Sequence, residues 1–227
     1  MEKFDRSKIL FGDEKLKNLA QSKVLLVGVG GVGGYVAEIL ARSGVGNITL
    51  VDNDVVDITN INRQIIALIN TVGKKKAELM KERIMQINPD CKCTAIVKRF
   101  NAESSNEILS DGYDYIIDAI DSVQDKITLI VECKSRGIDI ISAMGAGNRC
   151  GIPQFDAVDV FSTQNDGLAK KVRSLLKQKG IKEHKVVYCK EIAKKTKGEI
   201  GSVAYYPAMC GCVLAAVVID KLSGKAE

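Results

Sequence analysis

The chain has 227 residues, 46% apolar and 27% charged, enough for one sizeable core and too short for two large domains. Residues 1–10 (MEKFDRSKIL) hold no apolar core of the kind that directs export, and the most apolar stretch, 203–222, has a clean run only over 208–219, short of the roughly 20 residues a bilayer span needs. Seven cysteines cannot all pair, so the expectation is a reduced, cytoplasmic protein, with membrane, secreted, fibrous and disordered classes excluded.

In chain order, residues 24–27 (VLLV) predict a first strand and 32–43, at 3.6-residue spacing, a first helix. A second short β-branched run follows at 48–51 (ITLV), then a polar stretch, then a helix over 74–86 that Asn88-Pro89 ends. Residues 91–97, 115–118 (YIID) and 138–142 (IDIIS) predict further strands, with a helix over 123–136 between the last two. Unalternating apolar strands bounded by Gly or Asp belong in a parallel sheet covered on both faces. Their alternation with helices predicts an α/β fold, doubly wound and Rossmann-like. Past Gly151 the pattern changes: 154–161 predicts an edge strand, 168–178 a helix, 179–201 a basic loop, and 207–222 a closing helix with Pro207 in its first turn. The fold class is therefore a mostly parallel sheet with C-terminal antiparallel edge strands and a closing helix. Residues 1–227 are expected to form a single domain, with a core over about 20–150 and a basic segment over about 151–227.

Charge is unevenly placed. The total is +5, yet residues 170–197 hold eleven Lys and Arg against Glu183 and Glu191, a local +9 that leaves −4 for the rest. A solvated lysine face and a polyanion contact both fit such a run.

The sequence Val27-Gly-Val-Gly-Gly-Val-Gly-Gly34 follows the first strand and opens the first helix, so Gly28, Gly30 and Gly33 satisfy GxGxxG in the setting the motif requires. Without Cβ atoms, backbone amides and the helix N-terminus can face phosphates directly. Asp52 ends the second strand about 20 residues on, where a carboxylate accepts from ribose hydroxyls. These features alone suit a dinucleotide equally well. The next segment, DNDVVDITNINRQ, adds Asp54, Asn60, Asn62, Arg63 and Gln64, and Lys76 opens the following helix. A guanidinium and an ammonium converging on the cofactor loop serve a triphosphate, whose displacement builds charge on phosphoryl oxygens; hydride transfer has no use for them. In Asp118-Ala-Ile-Asp-Ser122, Asp121 falls at the carboxyl edge of the sheet, placed to hold Mg²⁺ on the phosphates.

This constellation resembles the adenylating enzymes of the ubiquitin-activating superfamily, the ThiF type that activates thiamine- and molybdopterin-pathway sulfur carriers among them. The motifs are GVGGVGGYVAEILARSGVGNITLVDND, TNINRQ, TVGKKKAELM, INP and DAIDS, over roughly residues 4–145. The resemblance implies ATP and Mg²⁺ as cofactors, Asp52 on the ribose, and Arg63, Lys76 and Asp121 as catalytic groups at the triphosphate and its metal. It extends the nucleotide contacts to Gly28, Gly30, Gly31, Gly33, Asp54, Asn60, Asn62, Gln64 and Ser122. Arg6 in FDRSKILFG, with Lys8 as the competing cation, matches an arginine that the family reaches across a dimer interface to the neighbour's ATP, which implies a homodimer.

Within that superfamily, DGLAKKVRSLLKQKGI and KVVYCKEIAKKTKGEIGSVAYYPAMCGCVLAAVVIDKL look like the branch that dehydrates threonylcarbamoyladenosine in tRNA. That branch implies tRNA as partner, contacts from Lys170, Lys171, Arg173 and Lys177, and a cysteine-desulfurase or sulfur-acceptor partner. Two departures are Cys189 where such loops more often carry Ser, and a short connection to the closing helix. The competing expectation is a sulfur-carrier or ubiquitin-like activator with Cys189 as acceptor thiol, its pKa lowered by Lys190. No zinc site is expected: Cys91 and Cys93 share a strand face, and Cys210 and Cys212 diverge on a helix. Cys133 and Cys150 read as small core residues, His184 as a solvent-facing loop residue, and Tyr205 and Tyr206 as packing against the sheet.

Overall fold

All five strands read from the N-terminal two thirds form, and helices cover both faces of one sheet. The structure is a computed structural model that describes residues 2–224. The chain runs α1 (Asp5–Gln21), β1 (Lys23–Val27), α2 (Gly33–Arg42), β2 (Asn47–Val51), α3 (Lys76–Ile87), β3 (Lys92–Ile96), α4 (Ser105–Ile108), β4 (Tyr115–Asp118), α5 (Val123–Ser135), β5 (Ile140–Ala143), β6 (Phe155–Asp159), α6 (Gly167–Gln178), β7 (Lys185–Cys189) and α7 (Tyr205–Leu222). The sheet order is β3-β2-β1-β4-β5-β7-β6, parallel except where β6 pairs antiparallel with β7 at the edge. Val27 lies level with Val51 on one side and with Asp118 on the other, and Asp118 with Ser142. The carboxyl ends of the central strands therefore form one even rim, and the order reverses between β1 and β4. A crevice opens at such a reversal.

Strand pleating divides the interior in two. Val24, Leu26, Ile48, Leu50, Ile117, Ile141 and Val187 point to a core shared with α2, α3 and α7. Leu25, Val27, Val51, Ile116, Ile140 and Val186 point to a second core under α5 and α6. Alternate side chains of each buried strand thus both find apolar cover, which accounts for the unbroken hydrophobic runs. α7 is long and apolar enough to cross a membrane by length and composition alone. Here it packs along α2, with Tyr206, Cys210, Leu214, Ala215 and Val218 buried. Gly211 makes the approach possible, since a Cβ there would lie 2.6 Å from the Val32 carbonyl oxygen.

Two elements depart from the sequence reading. α1 was not foreseen, and the expected basic loop over 179–201 contains β7, whose Val186 to Cys189 are all buried. β7 inserts between β5 and β6 and carries the edge strand, so the sheet has seven strands.

Candidate nucleotide site

A cavity of about 890 Å³ lies along the rim formed by the ends of β1, β2, β3, β4 and β5. The glycine loop supplies one wall. Gly28 holds φ +94°, and a Cβ on it would sit 2.7 Å from the Ala119 carbonyl oxygen, so only glycine brings β1 and β4 this close. Gly28, Gly30 and Gly31 line the cavity. Gly33 does not: its Cβ would overlap the Gly28 oxygen at 1.8 Å, which makes its role the tight closure of loop on helix.

Asp52 lines the cavity and is fixed at both oxygens, accepting from the Val29 amide at 2.7 Å and the Asp54 amide at 2.8 Å. Burial raises its pKa, opposed by those two hydrogen bonds and by Lys76. Lys76 is buried and donates to Asp54 at 2.9 Å, so the ammonium is held at the cavity wall by a carboxylate of the same loop. Arg63 donates to the Thr59 carbonyl and to Asn62, and its guanidinium has no carboxylate partner among the described residues. Gln64 is buried against the cavity, and its Oε1 has no hydrogen-bond partner, which leaves an acceptor for a ligand donor. Asp121 and Ser122 reach the cavity from the turn after β4. Beneath that turn Asp118 accepts from the Ile120 amide and pairs with fully buried Lys126 at 2.7 Å, while Ser122 caps α5 through the Asp125 amide.

Three expected nucleotide residues are placed elsewhere. Gly33 is structural as described, and Asn60 is buried in a reciprocal capping arrangement with Asp57. Asn62 donates to the Ser202 carbonyl and so ties the loop to the segment before α7. Arg6 is exposed on α1 and does not line the cavity.

Of the expected RNA contacts, Lys170, Lys171 and Lys177 are exposed on α6. Arg173 is not free: it is half-buried and donates to the Thr163 carbonyl and hydroxyl.

Cavity residues that the sequence reading missed are Lys98, Arg99 and Phe100 after β3, and Met144 to Gly147 after β5. Their position directly after strand ends was the available signal. Lys98 pairs with Glu107 and Arg99 with Asp125.

Three further expectations are corrected. His184 is buried, with Nε2 2.8 Å from the Ser142 hydroxyl and its amide donating to Asp159, because β7 starts beside it. Burial and two nearby lysines push its pKa down to about 3. Cys189 ends buried strand β7, and Lys190 pairs with Asp156, so neither accessibility nor a paired cation equips that thiol as an acceptor. Cys150 is exposed, whereas Cys133 is buried as expected. Tyr206 is buried and hydrogen-bonded to Glu191, while Tyr205 remains partly exposed and donates to the Cys150 carbonyl.

A glycine turn, the Asp52 carboxylate, an arginine, a lysine and, in Asp121, a carboxylate with no cationic partner among the described residues thus meet in one crevice. The model of the ThiF family matches residues 4–227. The chain belongs to the ThiF family. It is 40% identical over 242 residues to a tRNA threonylcarbamoyladenosine dehydratase of Bacillus subtilis, covering 98% of this chain and 95% of that protein. A crystal structure of the Escherichia coli tRNA N6-threonylcarbamoyladenosine dehydratase in complex with ATP superposes with a TM-score of 0.92 at 37% identity, covering 98% of this chain and 94% of that one. A probable molybdopterin-synthase adenylyltransferase of Porphyra purpurea is also 40% identical, but over 55% of this chain and 31% of its own length.

Proposed function

We propose that this ThiF-family protein catalyses the ATP-dependent dehydration of threonylcarbamoyladenosine in tRNA. The observation that carries the reading is the extent of the likeness: the Bacillus subtilis dehydratase and the Escherichia coli dehydratase structure match nearly end to end, through the basic C-terminal segment, where the molybdopterin-synthase adenylyltransferase matches about half the chain. The buried Cys189 removes the feature that would have favoured an acceptor-thiol enzyme.

The chemistry follows from the cavity. A substrate carboxylate oxygen attacks the α-phosphorus of ATP, the bond to the β-phosphate breaks, and pyrophosphate leaves. The carbamoyl group of the same substrate then attacks the acyl carbon and loses a proton. AMP departs with one former carboxylate oxygen, so the product has lost the elements of water. Both nucleophiles belong to the substrate, and the protein's task is positioning and charge stabilisation. Arg63 and Lys76 face the phosphoryl oxygens, Asp52 takes the ribose, and the glycine amides line the phosphate path. Asp121 is exposed at the cavity with no cationic partner among the described residues, and its hard oxygen donors would suit a magnesium ion. When bound there, magnesium would neutralise charge on the phosphates.

We further infer that residues 1–227 act as a single adenylating domain, that Lys170 and Lys177 contact the RNA backbone, and that the protein is a cytoplasmic homodimer in which Arg6 serves the partner's site. The exposed Ile9 and Leu10 beside Arg6 on α1 support a covered face there. A cysteine-desulfurase or sulfur-acceptor partner is compatible with the family and has no counterpart among the residues described. Incubation with ATP and threonylcarbamoylated tRNA, followed by nucleoside mass analysis, tests the reaction. Loss of one water with AMP formed is expected; unchanged nucleoside contradicts it.

A further inference from the structure

The cavity has two chemically distinct ends. Its volume, about 890 Å³, lies near the top of the range for one bound small molecule, roughly 300–1,000 Å³, so a nucleotide leaves room for a second group. One end holds the glycine loop, Asp52 and Arg63. The other is formed by Gly145 and Gly147 after β5, by Leu168 and Lys171 on α6, and by Ile200, with β4 lying between β1 and β5 in the sheet. Its floor is bare backbone for a reason. A Cβ on Gly145 would lie 3.0 Å from Asp166, and one on Gly147 would lie 2.4 Å from Ile200.

The cations lining the cavity differ in whether a carboxylate already neutralises them. Lys76 pairs with Asp54, Lys98 with Glu107 and Arg99 with Asp125. Arg63 and Lys171 have no carboxylate partner among the described residues, and they come from different elements, the loop after β2 and α6. Lys171 also differs from its neighbours in the basic run. It lines the cavity one turn from Leu168, whereas Lys170 and Lys177 do not line it. Its helix is rigidly mounted: Asp166 caps α6 through the Ala169 amide, accepts from the Gly145 amide, and pairs with buried Arg149.

We propose that this second end is the acceptor subsite and that Lys171 binds the substrate carboxylate, holding it toward the α-phosphate. The assignment rests on the reading that the acceptor is a carboxylate-bearing nucleoside in RNA, and it separates Lys171 from the backbone-contacting lysines. A charge-assisted bond to a carboxylate from an ammonium carried on an anchored helix supplies both affinity and aim. In the adenylation step Lys171 transfers no proton.

The test compares binding of tRNA with and without the threonylcarbamoyl group, in the presence of a non-hydrolysable ATP analogue. The wild-type protein is expected to prefer the modified tRNA by about tenfold or more. Lys171→Met should abolish that preference and lower kcat with the KM for ATP unchanged, and Lys171→Arg should restore most of both. Lys170→Met should weaken both tRNAs equally. Equal weakening of both tRNAs by Lys171→Met, or no effect of it, overturns the assignment, as does a wild-type protein without preference. If the wild-type protein forms no AMP with modified tRNA, the proposed reaction has failed; if it does and Lys171→Met behaves as Lys170→Met, only the subsite has.

Discussion

At the residue scale, the site works by holding charge in place before substrate arrives. Lys76 and Arg63 illustrate two ways of doing so. Lys76 is buried and locked by Asp54, whereas Arg63 is held by a carbonyl and an amide oxygen and keeps its full charge for a ligand. Losing one preorganised donor to a developing phosphoryl charge costs about 10²–10³ in rate. Lys76→Ala and Arg63→Ala should each lower pyrophosphate release by about that factor while circular dichroism and melting remain near wild type. Normal release in either variant would refute its role. The glycines divide similarly. Gly28 is a close approach at positive φ, and Gly33 is a packing contact that only the three-dimensional loop reveals.

At the element scale, β7 explains most of the difference between expectation and structure. Its five residues sit in a lysine-rich stretch, so the surrounding charge masked a short apolar run. Once β7 is in the sheet, His184 beside it is buried against Ser142 on β5, and Cys189 is buried at its far end. α1 was hidden for another reason: Gly12 kinks it at φ +74° and only Leu19 is fully buried, so its helical periodicity is weak. That Gly28, Asp52, Arg63, Lys76 and Asp121 share one crevice was legible because they cluster at strand ends within short motifs. The proposed acceptor end was less so, since Gly147, Lys171 and Ile200 are far apart in sequence and meet only in the fold.

The buried histidine makes the β5–β7 junction sensitive to acid. Its folded pKa, about 3, lies below the ordinary 6.5 of the unfolded chain. The unfolded state therefore binds the proton more readily. Stability from this group is complete above pH 6.5 and falls as pH drops from there toward 3, by up to about 1.4 kcal/mol per pH unit. Urea unfolding of His184→Gln should show a flatter acid limb over that window than the wild type. Parallel limbs would place the acid sensitivity elsewhere.

At the scale of the whole molecule, the net +5 is the sum of a body at −4 and a C-terminal run at +9. Such a division suits a protein that must gather a polyanionic RNA without coating its nucleotide crevice in indiscriminate positive charge. Within the run the side chains have separate fates: Arg173 is tied to Thr163, Lys190 to Asp156, and Lys170 and Lys177 remain exposed on α6. Neutralising Lys170 and Lys177 together should weaken tRNA binding and reduce the slope of log affinity against log salt by up to about 2, while ATP binding stays unchanged. An unaltered slope would return α6 to a plain solvated face.

ATP–pyrophosphate exchange with tRNA prepared with and without the threonylcarbamoyl group tests the central claim most directly. Exchange that requires the modified tRNA is the expected result. Exchange that proceeds equally with unmodified tRNA, or that appears with neither, would contradict the assignment of a nucleoside carboxylate as the group this site adenylates.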